Sequence, residues 1–170
     1  MILKSELKKF SLEGLFLQIK IEDDLLLNAL ENKILSALLT NSYKTNVIGK
    51  MTSYEYFVQD NDFKKLLSLF YAEAIKDNLF SNFPIDKGLI NIKEAWGNIL
   101  EKNEYVKKHI HYNQITSCLY FDDNSDLHTK EESFKTFRGL ILSIPGCCPH
   151  WVEPVKDKKR ISLIWNWSFQ

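Results

Sequence analysis

The second half of the chain is built from short segments that each favour a β-strand. From about residue 88 onward, these segments combine β-branched, aromatic and leucine residues, and turn-forming residues bound them. In chain order they read GLINIKEAWGNIL, QITSCLYFDD, FRGLILSIPG and RISLIWNWSF. A single short strand cannot bury a core, so several of them in succession predict a small antiparallel barrel or sandwich.

Two helical patterns precede these strands. Residues 22–41 place acids before leucine and isoleucine residues at helical spacing, which puts the acids at the favourable end of the helix dipole. Residues 60–80 repeat the pattern, with Asp62 as the expected N-cap and with Phe63 and Phe70 on one apolar face. Apolar stripes of this kind usually belong to a core, so we expect both helices to pack on one face of the β-structure.

The length and composition of the chain suit one domain. It has 170 residues, of which 45% are hydrophobic, enough for a core of its own. We therefore predict a single α+β domain, 1–170. Residues from about 1 to 85 are expected to form mainly helices that support the β-core, apart from an opening strand within 11–21. Residues of about 86–170 are expected to form the β-core that carries the site.

Composition argues against several classes of function. Lysine plus arginine equals aspartate plus glutamate, at 22 each, so no basic excess indicates nucleic-acid binding. No window approaches the roughly 18 uninterrupted apolar residues of a membrane span. The cysteines are Cys118, Cys147 and Cys148, an odd number without the spacing of a disulfide framework, which favours the reducing cytoplasm. Cys118 is expected to be a small buried strand residue.

The histidines supply the strongest chemical signal. The chain has 4 histidines. Two of them, His109 and His111, are separated by a single residue in a segment where a strand is expected. Because side chains alternate across a strand, both rings point to one side, with Cβ atoms roughly 6.5–7 Å apart, close enough to share a metal ion. His150 follows a turn stiffened by prolines and offers a third ligand, and three ligands with open positions are typical of a catalytic metal. His128 lies in a polar stretch and is expected in a solvent-exposed loop.

Arg160 enters an apolar strand ten residues after His150. A structural explanation is an exposed strand end, with Arg160 paired to Glu153 or Asp157. A functional explanation is a bidentate clamp for a carboxylate, with Ser162 on the same side of the strand as a second donor. The residues themselves leave both explanations open.

The order of these motifs resembles that of the iron(II)/2-oxoglutarate-dependent oxygenases. The likeness is carried by H-x-H, the strand TSCLYF, the segment GLILSIPG followed by HWVEP, and RISLIWN. It runs from about Trp96 to Asn166, under half of the chain. Within that family, the motifs are similar to those of a poorly characterised bacterial and phage branch, in which H-x-H stands where H-x-D is usual.

This resemblance implies a fold, a reaction and a metal site. The fold is a double-stranded β-helix, or jelly-roll, core buttressed by N-terminal helices. The reaction is that of a dioxygenase, a hydroxylase using Fe(II), 2-oxoglutarate and O2 on a small-molecule or peptide substrate. His109 and His111 would be the proximal metal ligands and His150 the distal one. His111 departs from the usual two histidines and one carboxylate. If His111 lies behind the ligands instead, Asp122, Asp123 or a water would complete the set.

The resemblance also implies where the cosubstrate binds. Arg160 would hold the far carboxylate of 2-oxoglutarate, with Ser162 and Tyr120 as helpers. Trp96 and Asn98 are candidates for the pocket wall. No residue beyond the metal ligands is assigned a catalytic role.

Two other interpretations stay open. A cupin shares the jelly-roll and an H-x-H pair, and the spacing from Gly139 through Pro145 to His150 suits one. However, positions 112–119 contain no acid, so the glutamate expected soon after H-x-H is missing, and a cupin gives Arg160 no role. Such a protein would bind a metal without 2-oxoglutarate.

The other interpretation is a non-catalytic phage or bacterial binding protein whose histidines only pack. Jelly-roll proteins often pair, so a homodimer is a further expectation.

Overall fold

The computed structural model of the protein describes residues 4–10, 14–38, 45–76 and 90–169. Within these ranges the chain forms two helices, α1 (Asp24–Leu38) and α2 (Asn61–Lys76). The strands in the same ranges are β1 (Lys4–Phe10), β2 (Gly14–Lys20), β3 (Val47–Ile48), β4 (Lys50–Met51), β5 (Ile90–Leu100), β6 (Tyr105–His109), β7 (Ile115–Tyr120), β8 (Leu127–Thr129), β9 (Ser133–Phe134), β10 (Leu140–Pro145), β11 (His150–Val152) and β12 (Arg160–Phe169).

The strands form two antiparallel sheets. The seven-stranded sheet has the order β1-β2-β10-β7-β12-β5-β4, and the five-stranded sheet has the order β3-β6-β11-β8-β9. From β5 onward the chain passes back and forth between the two sheets, as it does in a jelly-roll. This is the α+β arrangement that the sequence predicts, with the helices packed on one sheet.

Strand β12 divides the core into two parts. Its residues alternate between the two faces of the seven-stranded sheet, as strand geometry requires. The face against the helices carries Ile161, Leu163, Trp165 and Trp167. The face toward the five-stranded sheet carries Arg160, Ser162, Ile164 and Asn166. One strand therefore supplies both the helix-packed core and a wall of the space between the sheets.

Aromatic rings and one glycine fix the helices on the seven-stranded sheet. Phe63 and Phe70 of α2 each place their ring centroid 5.7 Å from that of Trp165, in edge-on contacts. Ile34 of α1 lies over Gly97 of β5, where an added Cβ atom would stand 2.6 Å from Ile34 Cγ1. Glycine at this strand position therefore lets α1 approach the sheet closely.

The N-cap of α2 is Asp60 and not the predicted Asp62. Asp60 Oδ1 accepts hydrogen bonds from the backbone N–H groups of Asp62 at 2.9 Å and Phe63 at 3.0 Å, which a helix start leaves without partners. Lys33 Nζ donates to Asp60 Oδ2 at 2.6 Å and to Asp62 Oδ2 at 2.7 Å, so this end of α2 is linked to α1. The prediction of Asp62 is wrong because the helix begins at Asn61, which makes the preceding residue the cap.

The N-terminal part of the chain contributes more strand than predicted. The opening strand expected within 11–21 is present as β2, which pairs with both β1 and β10. Strand β3 joins the five-stranded sheet, and β4 forms an edge of the seven-stranded sheet. Residues 77–89, part of the region expected to be helical, lie outside the described residues.

His128 lies on a strand and not in an exposed loop. It belongs to β8, where it pairs with Trp151 of β11, and the two rings stack with centroids 5.8 Å apart. Its Nδ1 also bonds to Ser133 Oγ at 2.6 Å, and the side chain is half-buried. The polar sequence conceals this short strand because its strand character comes from pairing with β9 and β11 and not from the propensity of its own residues.

The state of the cysteines and the character of the helices can be compared with the expectations of no disulfide framework and no membrane span. Cys118, Cys147 and Cys148 are all free. Cys118 lies on β7 as predicted, although its side chain is partly accessible because it faces a cavity. In the part of the chain that the structure describes, neither helix combines the length and apolar character that a membrane crossing requires.

Candidate metal centre

Three histidines meet between the two sheets. His109 ends β6 and His150 begins β11, and the two residues are direct partners in the antiparallel register. His111 lies two residues past the end of β6, where its backbone N–H donates to Gly146 O at 2.8 Å. The candidate ligand atoms of the three imidazoles all lie within 4.8 Å of one another. The sequence therefore identifies the cluster, although His111 follows the strand instead of belonging to it.

A close backbone contact holds the turn before His150. Gly146 N donates to Gln114 O at 2.9 Å, which ties the turn to the segment that follows His111. A Cβ atom on Gly146 would stand 1.8 Å from Asn113 O, far inside van der Waals contact. Only glycine fits this approach, so the Pro-Gly turn positions His150 against the other two histidines.

Hydrogen bonds preset the rings of His109 and His150 for metal binding. Nδ1 of His109 lies 2.7 Å from Lys107 O, and Nδ1 of His150 lies 2.9 Å from Cys148 O. A carbonyl oxygen only accepts, so Nδ1 carries the proton in both neutral rings. Their Nε2 atoms then hold a free lone pair, the arrangement found when a histidine ligates a metal.

The ring of His111 has a different hydrogen-bonding environment. The Asn166 amide nitrogen lies 3.2 Å from His111 Nδ1 and 2.6 Å from Glu94 Oε2, while Asn166 Oδ1 accepts from Thr116 Oγ1 at 2.8 Å. Because an amide nitrogen only donates, Nδ1 of His111 accepts, and Nε2 carries the ring proton. Coordination through Nε2 of His111 therefore requires its hydrogen bond with Asn166 to give way.

All three imidazoles are neutral near pH 7. Burial lowers the pKa of His111 to about 3 and that of His150 to about 4. Burial also lowers the pKa of His109. Charge on His109 and His150 would lower the pKa of His111 further, and charge on His109 and Arg160 lowers that of His150 further. Neutral imidazole is the form that binds a divalent ion.

The histidines open into a cavity of about 280 Å³ between the sheets. Polar groups buried in a protein almost always have a hydrogen-bond partner. Five buried polar atoms on residues that line this cavity have none among the described residues. These atoms are Trp96 Nε1, Asn98 Oδ1, Tyr120 Oη, Arg160 Nε and Ser162 Oγ. Unsatisfied donors and acceptors gathered around one cavity make it suited to water or to a polar ligand.

Arg160 is the only buried arginine among the described residues, with 2% of its surface exposed. Its guanidinium carbon lies 5.0 Å from the centre of the Tyr120 ring. No described carboxylate forms an ion pair with it, and the alternative pairing to Glu153 or Asp157 is absent. Asp122 lies near enough for its charge to interact with that of Arg160, although the two form no direct ion pair. A buried guanidinium without a direct ion pair is costly, so the cavity is suited to an anion at this end.

Asp122 and Asp123 do not join the histidine cluster. The oxygens of Asp122 accept hydrogen bonds from the backbone N–H groups of Ile161 and Asn124, and Asp123 is exposed. Burial raises the pKa of Asp122, although these hydrogen bonds and the nearby Arg160 oppose the rise. Neither acid lines the cavity.

Register across β5, β12 and β7 arranges one wall of the cavity in three rows, each named here after its β12 residue. The Ser162 row consists of Ser162, Asn98 and Tyr120. The Ile164 row consists of Ile164, Trp96 and Cys118. The Asn166 row consists of Asn166, Glu94 and Thr116. A mainly apolar row therefore separates two polar rows, with Arg160 beyond the Ser162 row.

Sequence reasoning found the Ser162 row and missed the Asn166 row. Glu94 and Asn166 are 72 residues apart, and their hydrogen bond exists only because β5 pairs with β12. The available signal was the alternation along β12, where Arg160, Ser162 and Asn166 share one face. The same alternation along β5 places Glu94 on the face of Trp96 and Asn98.

No protein-family model matches the chain, and no curated protein matches it. Solved structures of 2-oxoglutarate oxygenases share its fold. A prolyl-4-hydroxylase from Pseudomonas putida has 13% identity and a TM-score of 0.67, over 91% of this chain and 92% of that chain. The viral collagen prolyl hydroxylase of Paramecium Bursaria Chlorella virus-1, in a 2OG complex, has 11% identity and a TM-score of 0.62, over 89% and 94%. HygX from Streptomyces hygroscopicus, with nickel, 2-oxoglutarate and hygromycin B bound, has 10% identity and a TM-score of 0.63, over 91% and 83%. Likeness at these identities shows the fold, and it confirms the predicted jelly-roll core.

Proposed function

We propose that the protein is an Fe(II)- and 2-oxoglutarate-dependent dioxygenase, a hydroxylase acting on an unidentified small-molecule or peptide substrate. The observation that carries this proposal is one cavity holding both a cluster of neutral imidazoles and a buried arginine that forms no direct ion pair with a described carboxylate. The shared fold supports it. The cluster suits a metal, and the arginine suits the far end of a dicarboxylate.

The side chains present fit an iron site with open positions. His109 and His150 offer Nε2 lone pairs that their backbone hydrogen bonds already orient. His111 supplies the third imidazole once its Nδ1 gives up the Asn166 hydrogen bond, so it contributes less to affinity than the other two. Three nitrogen ligands leave coordination positions free for 2-oxoglutarate and O2.

The residues beyond the histidines bind and orient the cosubstrate. Arg160 holds the far carboxylate in a charge-assisted hydrogen bond, and the hydroxyl groups of Ser162 and Tyr120 donate to the same group. Burial raises the pKa of Tyr120 well above its ordinary value, so its hydroxyl keeps the proton that it donates. A bound carboxylate would satisfy the Nε, Oγ and Oη atoms that lack partners within the protein.

When bound, Fe(II) and 2-oxoglutarate supply oxidative chemistry in which the cosubstrate is decarboxylated to succinate and one atom of O2 enters the substrate. The chain's own task is to place a substrate C–H bond beside the histidine cluster and to exclude water. Ile164 and Trp96 of the Ile164 row supply apolar surface for that purpose.

The test is succinate formation from 2-oxoglutarate by protein reconstituted with Fe(II) and ascorbate. Arg160→Ala is expected to lose 2-oxoglutarate binding in calorimetry while it keeps its metal. Arg138→Ala is the matched control, because Arg138 pairs with Glu31 of α1 and does not line the cavity. Normal 2-oxoglutarate binding by Arg160→Ala would contradict the clamp, whereas metal binding without 2-oxoglutarate binding by the unaltered protein would favour a cupin-type protein. Failure to retain about one Fe, Mn, Ni or Zn per chain after reconstitution would favour a non-catalytic binding protein.

We also propose a cytoplasmic location, which the free cysteines support. The homodimer stays a prediction, and sedimentation of the purified full chain tests it.

A further inference from the structure

We infer that the Asn166 row forms a substrate subsite for a cationic group, an ammonium or guanidinium on a flexible apolar stem, with Glu94 as its counter-charge. This inference rests on the proposed function, because it names the class of substrate that the same cavity accepts. Nothing in the metal or cosubstrate chemistry uses Glu94.

Glu94 is a fixed carboxylate without a described cationic partner. Its Oε2 accepts hydrogen bonds from Asn166 Nδ2 at 2.6 Å and from Asn113 Nδ2 at 3.4 Å. No lysine or arginine among the described residues forms an ion pair with it, and Oε1 accepts no hydrogen bond from them. Two neutral amides orient the carboxylate but leave its charge uncompensated. A positively charged ligand group would make the strong, charge-assisted hydrogen bonds that the protein itself leaves unmade.

The cavity carries opposite charges at its two ends. Arg160 lies beyond the Ser162 row, Glu94 lies in the Asn166 row, and the mainly apolar Ile164 row separates them. An anionic cosubstrate is attracted to the arginine and repelled by the glutamate, so the Glu94 end stays free for a second molecule. A cation there places the carbon chain attached to it alongside the histidine cluster.

The rim of the cavity beside Glu94 exposes apolar side chains. Tyr112 is 99% exposed and Ile110 is 43% exposed, and both line the cavity next to His111. Apolar side chains at the mouth of a polar cavity offer contact surface to the apolar part of a ligand. Their surface suits the methylene stem of a lysine-like or arginine-like chain, and the Tyr112 ring adds a cation–π contact. Charge from Glu94 and apolar surface from the rim point to the same class of ligand.

The experiment compares probes of similar shape that differ in the charge of the side chain, with the backbone charges blocked. The probes are Nα-acetyl-L-arginine amide against its citrulline analogue, Nα-acetyl-L-lysine amide against its norleucine analogue, and a blocked pentapeptide with a central arginine against its citrulline counterpart. Calorimetry with the full chain is expected to show the cationic member of a pair binding roughly tenfold more tightly, as expected for a hydrogen bond to a charged group. The blocked single residues and the pentapeptide distinguish a small-molecule substrate from a peptide side chain. In protein loaded with Fe(II) and 2-oxoglutarate, the cationic probes are also expected to stimulate succinate formation.

Two variants assign the preference to Glu94. Glu94→Gln keeps an oxygen acceptor and is expected to remove the preference for cationic probes. Glu153→Gln is the matched control, since Glu153 lies outside the cavity and bonds to Trp151 Nε1, and it is expected to keep that preference. Equal binding of charged and neutral probes by the unaltered protein overturns the subsite without any variant having to fold. Failure to bind 2-oxoglutarate refutes the oxygenase proposal instead, and the probe comparison still decides the subsite.

Discussion

His109 and His150 face each other as register partners across β6 and β11, with ring centroids 4.4 Å apart. Each ring is held in the same way, through an Nδ1 hydrogen bond to the carbonyl of the residue two positions earlier in the chain. His111 lacks this bond and accepts from Asn166 instead. The three imidazoles are therefore close together but differ in their readiness to bind a metal.

We predict that the three histidines contribute unequally to metal affinity. His109→Ala and His150→Ala are expected to abolish stoichiometric metal binding, because each removes an Nε2 lone pair that is already oriented. His111→Ala is expected to weaken metal affinity by roughly tenfold. That is the size of effect seen when a residue beside a metal site is replaced while the main ligands, here His109 and His150, stay in place. Metal content after dialysis and calorimetric titration measure the difference, with His128→Ala as the control. Equal losses at all three positions would show that His111 ligates as strongly as the others.

Acid is predicted to destabilise the metal-free protein over a defined pH range. The unfolded-state pKa of histidine is about 6.5, whereas burial lowers the folded-state pKa of His150 to about 4 and that of His111 to about 3. Between these values the unfolded chain binds more protons than the folded protein. The contribution of the two histidines to the free energy of unfolding is therefore complete above about pH 6.5, and it is lost as the pH falls toward the folded-state pKa values. A folded-state pKa that lies one pH unit below the unfolded-state pKa corresponds to about 1.4 kcal/mol of stability.

Urea unfolding of chelator-treated protein between pH 7.5 and pH 4.5 measures this dependence. Carboxylates also contribute over that range, so the comparison is with the double variant His111→Ala, His150→Ala. The double variant is expected to lose less free energy of unfolding over the same interval. Parallel profiles for the two proteins would show that these imidazoles are not buried in the neutral form.

Removal of the Tyr120 hydroxyl is predicted to separate binding from stability. Tyr120 is fully buried and its Oη has no hydrogen-bond partner among the described residues. Tyr120→Phe therefore removes only the weaker interactions of the hydroxyl with Arg160 and Cys118, and the free energy of unfolding without ligand is expected to stay about equal. The affinity for 2-oxoglutarate is expected to fall by roughly tenfold, about the value of one hydrogen bond to a charged group. Chemical denaturation and calorimetry test the two effects. A large loss of stability with unchanged 2-oxoglutarate affinity would assign the hydroxyl a structural role.

Some site residues could be predicted because their signals are local. The H-x-H pair, the Pro-Gly turn before His150 and the arginine at the start of β12 each stand out within a few residues of sequence. Strand alternation then places Arg160 and Ser162 on one face without knowledge of the sheet order. These features predict a metal site, and they make an anion site one of two explanations of Arg160, before any tertiary contact is known.

Other features could not be predicted because tertiary pairing creates them. Glu94 and Asn166 meet only through the β5–β12 register, and the environment of His111 follows from that meeting. His128 becomes a strand residue because β9 and β11 pair with its three-residue strand. The Asp60 cap shows a smaller effect of the same kind, since two acids two positions apart give no local basis for choosing between them.

The contact between α1 and β5 gives a stability prediction that is independent of the candidate metal centre. An alanine at Gly97 would place its Cβ atom 2.6 Å from Ile34 Cγ1 and 2.8 Å from Cγ2, so the helix or the strand must shift. Gly97→Ala is expected to lower the free energy of unfolding by about 1–3 kcal/mol, the usual cost of overpacking. Ile34→Ala makes room for the added methyl, so the double variant should be more stable than the sum of the single effects predicts. Urea denaturation of the four proteins measures this coupling, and strictly additive losses would show that Gly97 is not what allows α1 to approach the sheet.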